Sequence, residues 1–62
     1  MSPATAIGSL PVDERRAMTL QRVYGYRYVE IAARLNMPLA RVTALLAKAA
    51  RHYTDALESD DE

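Results

Sequence analysis

The side chains with the clearest chemistry in this chain are cations at helical spacing. Arg41, Leu45, Lys48 and His52 follow one another at intervals of four, three and four, so on a helix they share one face. Thr43 and Ala44 fill outward positions between Arg41 and Leu45, and Arg51 stands next to His52. Arginine and lysine projecting from one helix suit two tasks: reading base edges in a DNA major groove and contacting phosphates. Arg27, Arg15, Arg16 and Arg22 extend the set of cations toward the N-terminus, where phosphate or protein contacts are their candidate roles.

Catalytic chemistry finds little material. The sequence has no cysteine and one histidine. Its serines, Ser2, Ser9 and Ser59, all lie near the ends. Carboxylates gather mainly in the last five residues, as Glu58, Asp60, Asp61 and Glu62, where burial could not tune their acidity. There is no glycine-rich phosphate loop. His52 lacks the companion ligands a metal site needs. No enzyme, metal, cofactor or small-molecule substrate is therefore expected.

The elements that must position these cations follow from hydrophobic period. Leu10-Pro11 opens a first helix, with Asp13 and Glu14 suited to its positive N-terminal end. Ala17, Leu20, Val23 and Tyr24 recur at helical spacing, so this helix is expected over 11–24, with Gly25 as its stop. Tyr28, Ile31, Ala32 and Leu35 give the i, i+3, i+4, i+7 pattern of a second helix over 28–35. Glu30 and Arg34 stand on its outer side as an i, i+4 pair. Asn36, which tolerates the left-handed turn at a helix end, and Pro38, which can begin a helix, separate it from the next element. Val42, Leu46, Ala49, Tyr53 and Leu57 form one stripe, which predicts a long third helix over 38–57. A helix of about eight residues, a tight turn and a longer helix make a helix-turn-helix. The expected fold is all-α: three helices over 10–57, preceded by a flexible leader over 1–9 and followed by an acidic flexible tail over 58–62.

Size and composition fit that picture. The chain has 62 residues, half of them hydrophobic, which means one small domain rather than a disordered segment. With no Phe, Trp or Cys, its core must come from aliphatic residues, Met, Ala and Tyr. No stretch approaches the ~20 apolar residues of a membrane span, and a cytoplasmic location is expected. The formal net charge of zero hides an asymmetry. Before Glu58 the sequence has eight Lys and Arg against four Asp and Glu, a body charge of +4.

Leu10-Pro11, Arg22, Gly25, Tyr28, Glu30-Ile31-Ala32, Arg34-Leu35, Met37-Pro38-Leu39, Val42, Leu46 and Ala49, in this order and spacing, resemble region four of bacterial sigma factors. The extracytoplasmic-function group is most similar. Within it the iron-citrate-type factors are nearest, through Leu46-Ala47-Lys48-Ala49 followed by Arg51-His52. The resemblance implies packed helices whose long last helix enters the major groove of promoter DNA. It implies a second surface that contacts RNA polymerase and is often masked by an anti-sigma factor. Region two, which such factors use to melt promoter DNA, has no counterpart here.

Carried over by residue, the resemblance assigns Arg27, Arg41, Thr43, Ala44, Leu45, Lys48 and Arg51 to DNA. It leaves Arg15, Arg22, Leu45 and His52 for a partner protein. Two departures stand out. The family has a more polar run where Thr43, Ala44 and Leu45 stand, and it has Ser or Thr where Arg27 begins the second helix. Leu45 is open to three readings: partner anchor, thymine-methyl contact or core residue. A DNA-binding regulator and a protein-interaction module that binds RNA polymerase, a sigma factor or an anti-sigma factor are the two functions compatible with these residues.

Overall fold

The computed structural model describes residues 2–58, which form four helices: α1 (Pro3–Gly8), α2 (Val12–Arg22), α3 (Tyr28–Leu35) and α4 (Leu39–Glu58). The acidic tail expected over 58–62 lies outside the described residues apart from Glu58, the last residue of α4.

Helix α1 lies within residues 1–9, where the residue types suggest a flexible leader. Ser2 caps α1 by accepting the Thr5 backbone N–H at 3.2 Å, and Pro3 occupies its first turn. Thus residues that suggested a loop by type are helix-end residues by position. Six residues cannot hold a helix alone. Burial supplies the rest: Ala6 has no exposed surface, and Ile7 packs on a cluster of Leu10, Met18 and Ala49.

Helix α2 is shorter than the 11–24 expected. Pro11 begins it by accepting the Arg15 N–H at 2.8 Å, and Arg22 ends it ahead of Gly25, whose φ of +73° makes the turn. Because the helix stops there, Val23 and Tyr24 swing outward and are exposed rather than core. The buried face of α2 is Glu14, Ala17 and Met18, with Leu20 half-buried beside it.

Helix α3 has the bounds its period predicts. Its first residue does not have the expected burial: Tyr28 is exposed, because a helical side chain leans over the turn before it and here the helix has only begun. Glu30 leaves Arg34 and turns back, its Oε1 accepting the Arg27 backbone N–H at 2.7 Å. That bond satisfies one free donor at the helix start, where Arg27 itself offers no acceptor. At the far end Asn36 is left-handed, with φ 56° and ψ 47°. The Met37 and Asn36 N–H groups reach back to the Ala32 and Ala33 carbonyls at 3.0 and 3.3 Å. This is the paired closure that turns a chain tightly after a helix. The Pro38 carbonyl then accepts the N–H groups of Arg41 and Val42 in the first turn of α4.

Two linked apolar clusters hold the helices. Ala17, Ile31, Ala32, Val42 and Leu46 join α2, α3 and α4, with Leu20, Tyr26, Leu35, Met37 and Leu45 packed around them. Leu10, Met18 and Ala49 join α2 and α4 to α1. Ile31 and Val42 have no exposed surface.

Ile31→Ala is expected to cost about 2–5 kcal/mol, transfer and cavity terms together. A domain of this size has roughly 3–9 kcal/mol in all. Circular dichroism should then show substantial unfolding at room temperature. At the turn, Asn36→Val should lower stability by about 1–2 kcal/mol relative to Asn36→Gly, because a β-branched residue resists the left-handed conformation. Urea unfolding of the two variants measures that difference.

Candidate nucleic-acid interface

The site is built on the register of α4. Val42, Leu46 and Ala49 are buried against α2 and α3, with Tyr53 half-buried beyond them. At about 100° per residue, that inward stripe sends Arg41 and Lys48 to one flank of the helix and Ala44 and Arg51 to its outer side. Arg41, Thr43, Ala44, Lys48 and Arg51 are all exposed. The Thr43 hydroxyl donates to the Leu39 carbonyl one turn back at 3.1 Å, which leaves its oxygen free to accept. Ala40 and Leu39 are exposed as well, so the first turn of α4 presents apolar surface around Arg41.

Leu45 is half-buried and lies against the cluster of Ile31, Val42 and Leu46, with the rest of its side chain at the surface. Its register places it beside the buried stripe, on the side of Arg41 and Lys48.

Arg27 stands exposed just before α3, at the other end of the helix-turn-helix. Its side chain makes no capping bond, while its backbone N–H is taken by Glu30. The N-terminal end of α3 therefore carries a cation and the positive pole of the helix together, an electrostatic setting that favours a phosphate.

Arg15, Arg22 and His52, three of the residues expected to meet a partner protein, each contact another part of the fold. The His52 ring is tied to Glu14, with Nδ1 to Oε1 at 2.6 Å. A carboxylate accepts only, so Nδ1 is the donor in this contact. Glu14 is the single buried charged residue among those described, and its only available partner comes from a helix 38 positions along the chain. Sequence reasoning assigned Glu14 to the first turn of its helix and missed this bond. Arg22 lies over the Tyr53 ring, with Cζ 4.9 Å from the centroid. Arg22 and His52 thus tie α2 to α4 at two points. Arg15 is exposed, and its Nη1 donates to the Gly8 carbonyl at 3.4 Å.

An exposed cationic face on the second helix of a helix-turn-helix thus lies over a packed α2–α3–α4 core. Residues 4–52, most of the chain, match the family model described as sigma-70, region 4. The chain belongs to the sigma-70 region 4 family. This region 4 domain is therefore a helix-turn-helix of the kind used in transcription regulation and DNA binding. No curated protein and no solved structure matches the chain. The family match begins at residue 4, within α1. Among the described residues no helix of this region 4 domain is long and apolar enough to cross a membrane.

The His52–Glu14 contact has a measurable consequence. His52→Ala leaves a buried carboxylate without its partner and should cost about 1–3 kcal/mol. Adding Glu14→Met should recover most of that loss, since an apolar side chain in the same space needs no partner. Thermal or urea unfolding of the two variants checks both expectations.

Proposed function

We propose that the chain is a DNA-binding transcription regulator module that sets the N-terminal half of α4 in the major groove of a promoter element and contacts RNA polymerase. Arg41 reads a base edge from the first turn. Thr43 and Ala44 line the same stretch, and Leu45 supplies packing that fixes how α4 is turned. Lys48, Arg51 and Arg27 contact phosphates on either side. The observation that carries this reading is the exposure of Arg41, Lys48 and Arg51 along one helix, with no carboxylate paired to any of them among the described residues. A guanidinium free of intramolecular partners can give its two parallel N–H donors to a guanine edge. The Arg27 cation at the start of α3 supports a phosphate contact on the adjoining backbone.

The finer kinship we propose is with the extracytoplasmic-function sigma factors of the iron-citrate type, acting in the cytoplasm. A second reading has one observation in its favour. Leu39, Ala40 and Ala44 are exposed where base-reading side chains would be expected, which supports a module that binds RNA polymerase, a sigma factor or an anti-sigma factor with little base readout. The charge of the body favours the first reading, because uncompensated cations bind the DNA backbone without regard to sequence.

The two readings separate by salt titration of duplex binding. A module making several phosphate contacts loses affinity steeply as salt rises, whereas no duplex binding at low salt would remove the DNA function. Within a selected duplex, Arg41→Ala should cost about 1–3 kcal/mol and relax preference at one base position. Lys48→Ala should weaken all sequences alike and flatten the salt dependence by about one unit of slope.

A further inference from the structure

The connection between α2 and α3 carries aromatic rings that the reading of α4 does not use. Residues 22–28 run Arg-Val-Tyr-Gly-Tyr-Arg-Tyr, arginine and tyrosine interleaved. Gly25 turns the chain with its φ of +73°, and the tyrosines on either side of it meet. The Tyr24 and Tyr26 rings are stacked, with centroids 5.9 Å and planes 15° apart. Tyr26 is anchored: its backbone N–H donates to the Leu20 carbonyl at 3.1 Å, and its ring packs on the central cluster. Arg34 of α3 adds a cation to it. Its Cζ lies 3.9 Å from the Tyr26 centroid, and its Nη2 donates to the tyrosine hydroxyl at 2.9 Å. Tyr24 differs, because stacking covers one face of its ring and yet the residue is 63% exposed. Its exposure therefore falls on the other face and the ring edges. Arg27 adjoins the pair and is exposed too. Among the described residues no carboxylate pairs with the side chain of Arg27 or Arg34, and Glu30, the acid of this stretch, accepts the Arg27 backbone N–H.

We propose that the Tyr24 ring is a stacking platform for an unpaired base of a single-stranded nucleic acid, with Arg27 and Arg34 attracting the phosphates of the strand. An aromatic face accepts any base, since every base has a π-face, and nearby cations supply the attraction to the backbone. The two features together select the occupant. Bases inside a duplex have their faces covered by neighbouring pairs, so only an unpaired base can lie on Tyr24. An aromatic side chain of a protein can cover the ring, but it brings no negative charge to the arginines. The platform exists before binding, because Tyr26 is fixed to the core and to Arg34, and this lowers the ordering cost of the contact.

Fluorescence anisotropy of the whole chain at low salt tests the proposal with four labelled probes. These are oligothymidylate, oligouridylate, an abasic strand of the same length, and a duplex DNA. The better of the two base-carrying strands should bind about 5- to 150-fold more tightly than the abasic strand, the range that one stacked base is worth. Which of the two binds better shows whether the strand is DNA or RNA. Tyr24→Leu should remove the preference over the abasic strand with helix content and duplex binding unchanged, since the position is exposed. Tyr24→Phe should keep it, because a phenyl ring offers the same face. The duplex probe reports on α4, so failure of the platform and failure of the α4 reading give different results. An abasic strand that binds as tightly as both others overturns the proposal, because phosphate contacts then account for all the affinity. So does a Tyr24→Leu variant that keeps the preference, or one that weakens single strands and duplex alike.

Discussion

Every surface of this domain is placed by the packing of Ile31 against the cluster that contains Val42, Leu46 and Ala17. Helix α3 has eight residues and α1 six, too few for either to persist in water unaided. They exist because neighbours cover one side of each. The seam also fixes the rotation of α4. With Val42, Leu46 and Ala49 turned inward, Arg41 and Lys48 have one place to go. A rotation of α4 by one residue would bury Thr43 and expose Val42, so the cationic face is as firmly set as the core. The left-handed Asn36 is part of the same constraint, since it delivers α4 to α3 within three residues.

The contact between α2 and α4 is of another kind. Beside Met18 and Ala49 it includes the buried Glu14 carboxylate and the His52 ring, and further along the Arg22 guanidinium over Tyr53. A small core limits how much apolar area can be buried, and a domain of this size leaves a thin margin. Directional contacts of this type add less net stability than apolar burial, but they penalise alternatives, because any other docking leaves a carboxylate buried and unpaired. They also hold the His52 ring and the Arg22 guanidinium in place, while both residues stay exposed.

The charges left over fall into two groups of distinct surroundings. Arg41, Lys48 and Arg51 stand on a helix among small side chains, where a broad surface can approach. Arg15, Arg16 and Arg34 stand around a groove with leucine in its walls. The two groups stand on different helices, the first on α4 and the second on α2 and α3. Tyr26 links the groove to the core, since its ring packs on the central cluster while its face and hydroxyl hold Arg34.

Residue type and spacing were enough to give α3, the turn at Asn36, the extent of α4 and the helix-turn-helix they compose, because these depend on local period and on the few residues that end helices. The ordered spacing also carried the family, which the match over residues 4–52 bears out. What the sequence alone left open depended on contacts far apart in the chain. Helix α1 forms only because Ala6 finds a place beside α2 and α4. Glu14 and Arg34 each had a plausible local role, at a helix start and in an i, i+4 pair. Tertiary structure gave them His52 and Tyr26 instead, partners at separations of 38 and eight residues that no helical period encodes. The outward faces of Tyr24 and Tyr28 were decided in the same way, by where a helix ends and whether a neighbour is there to cover it.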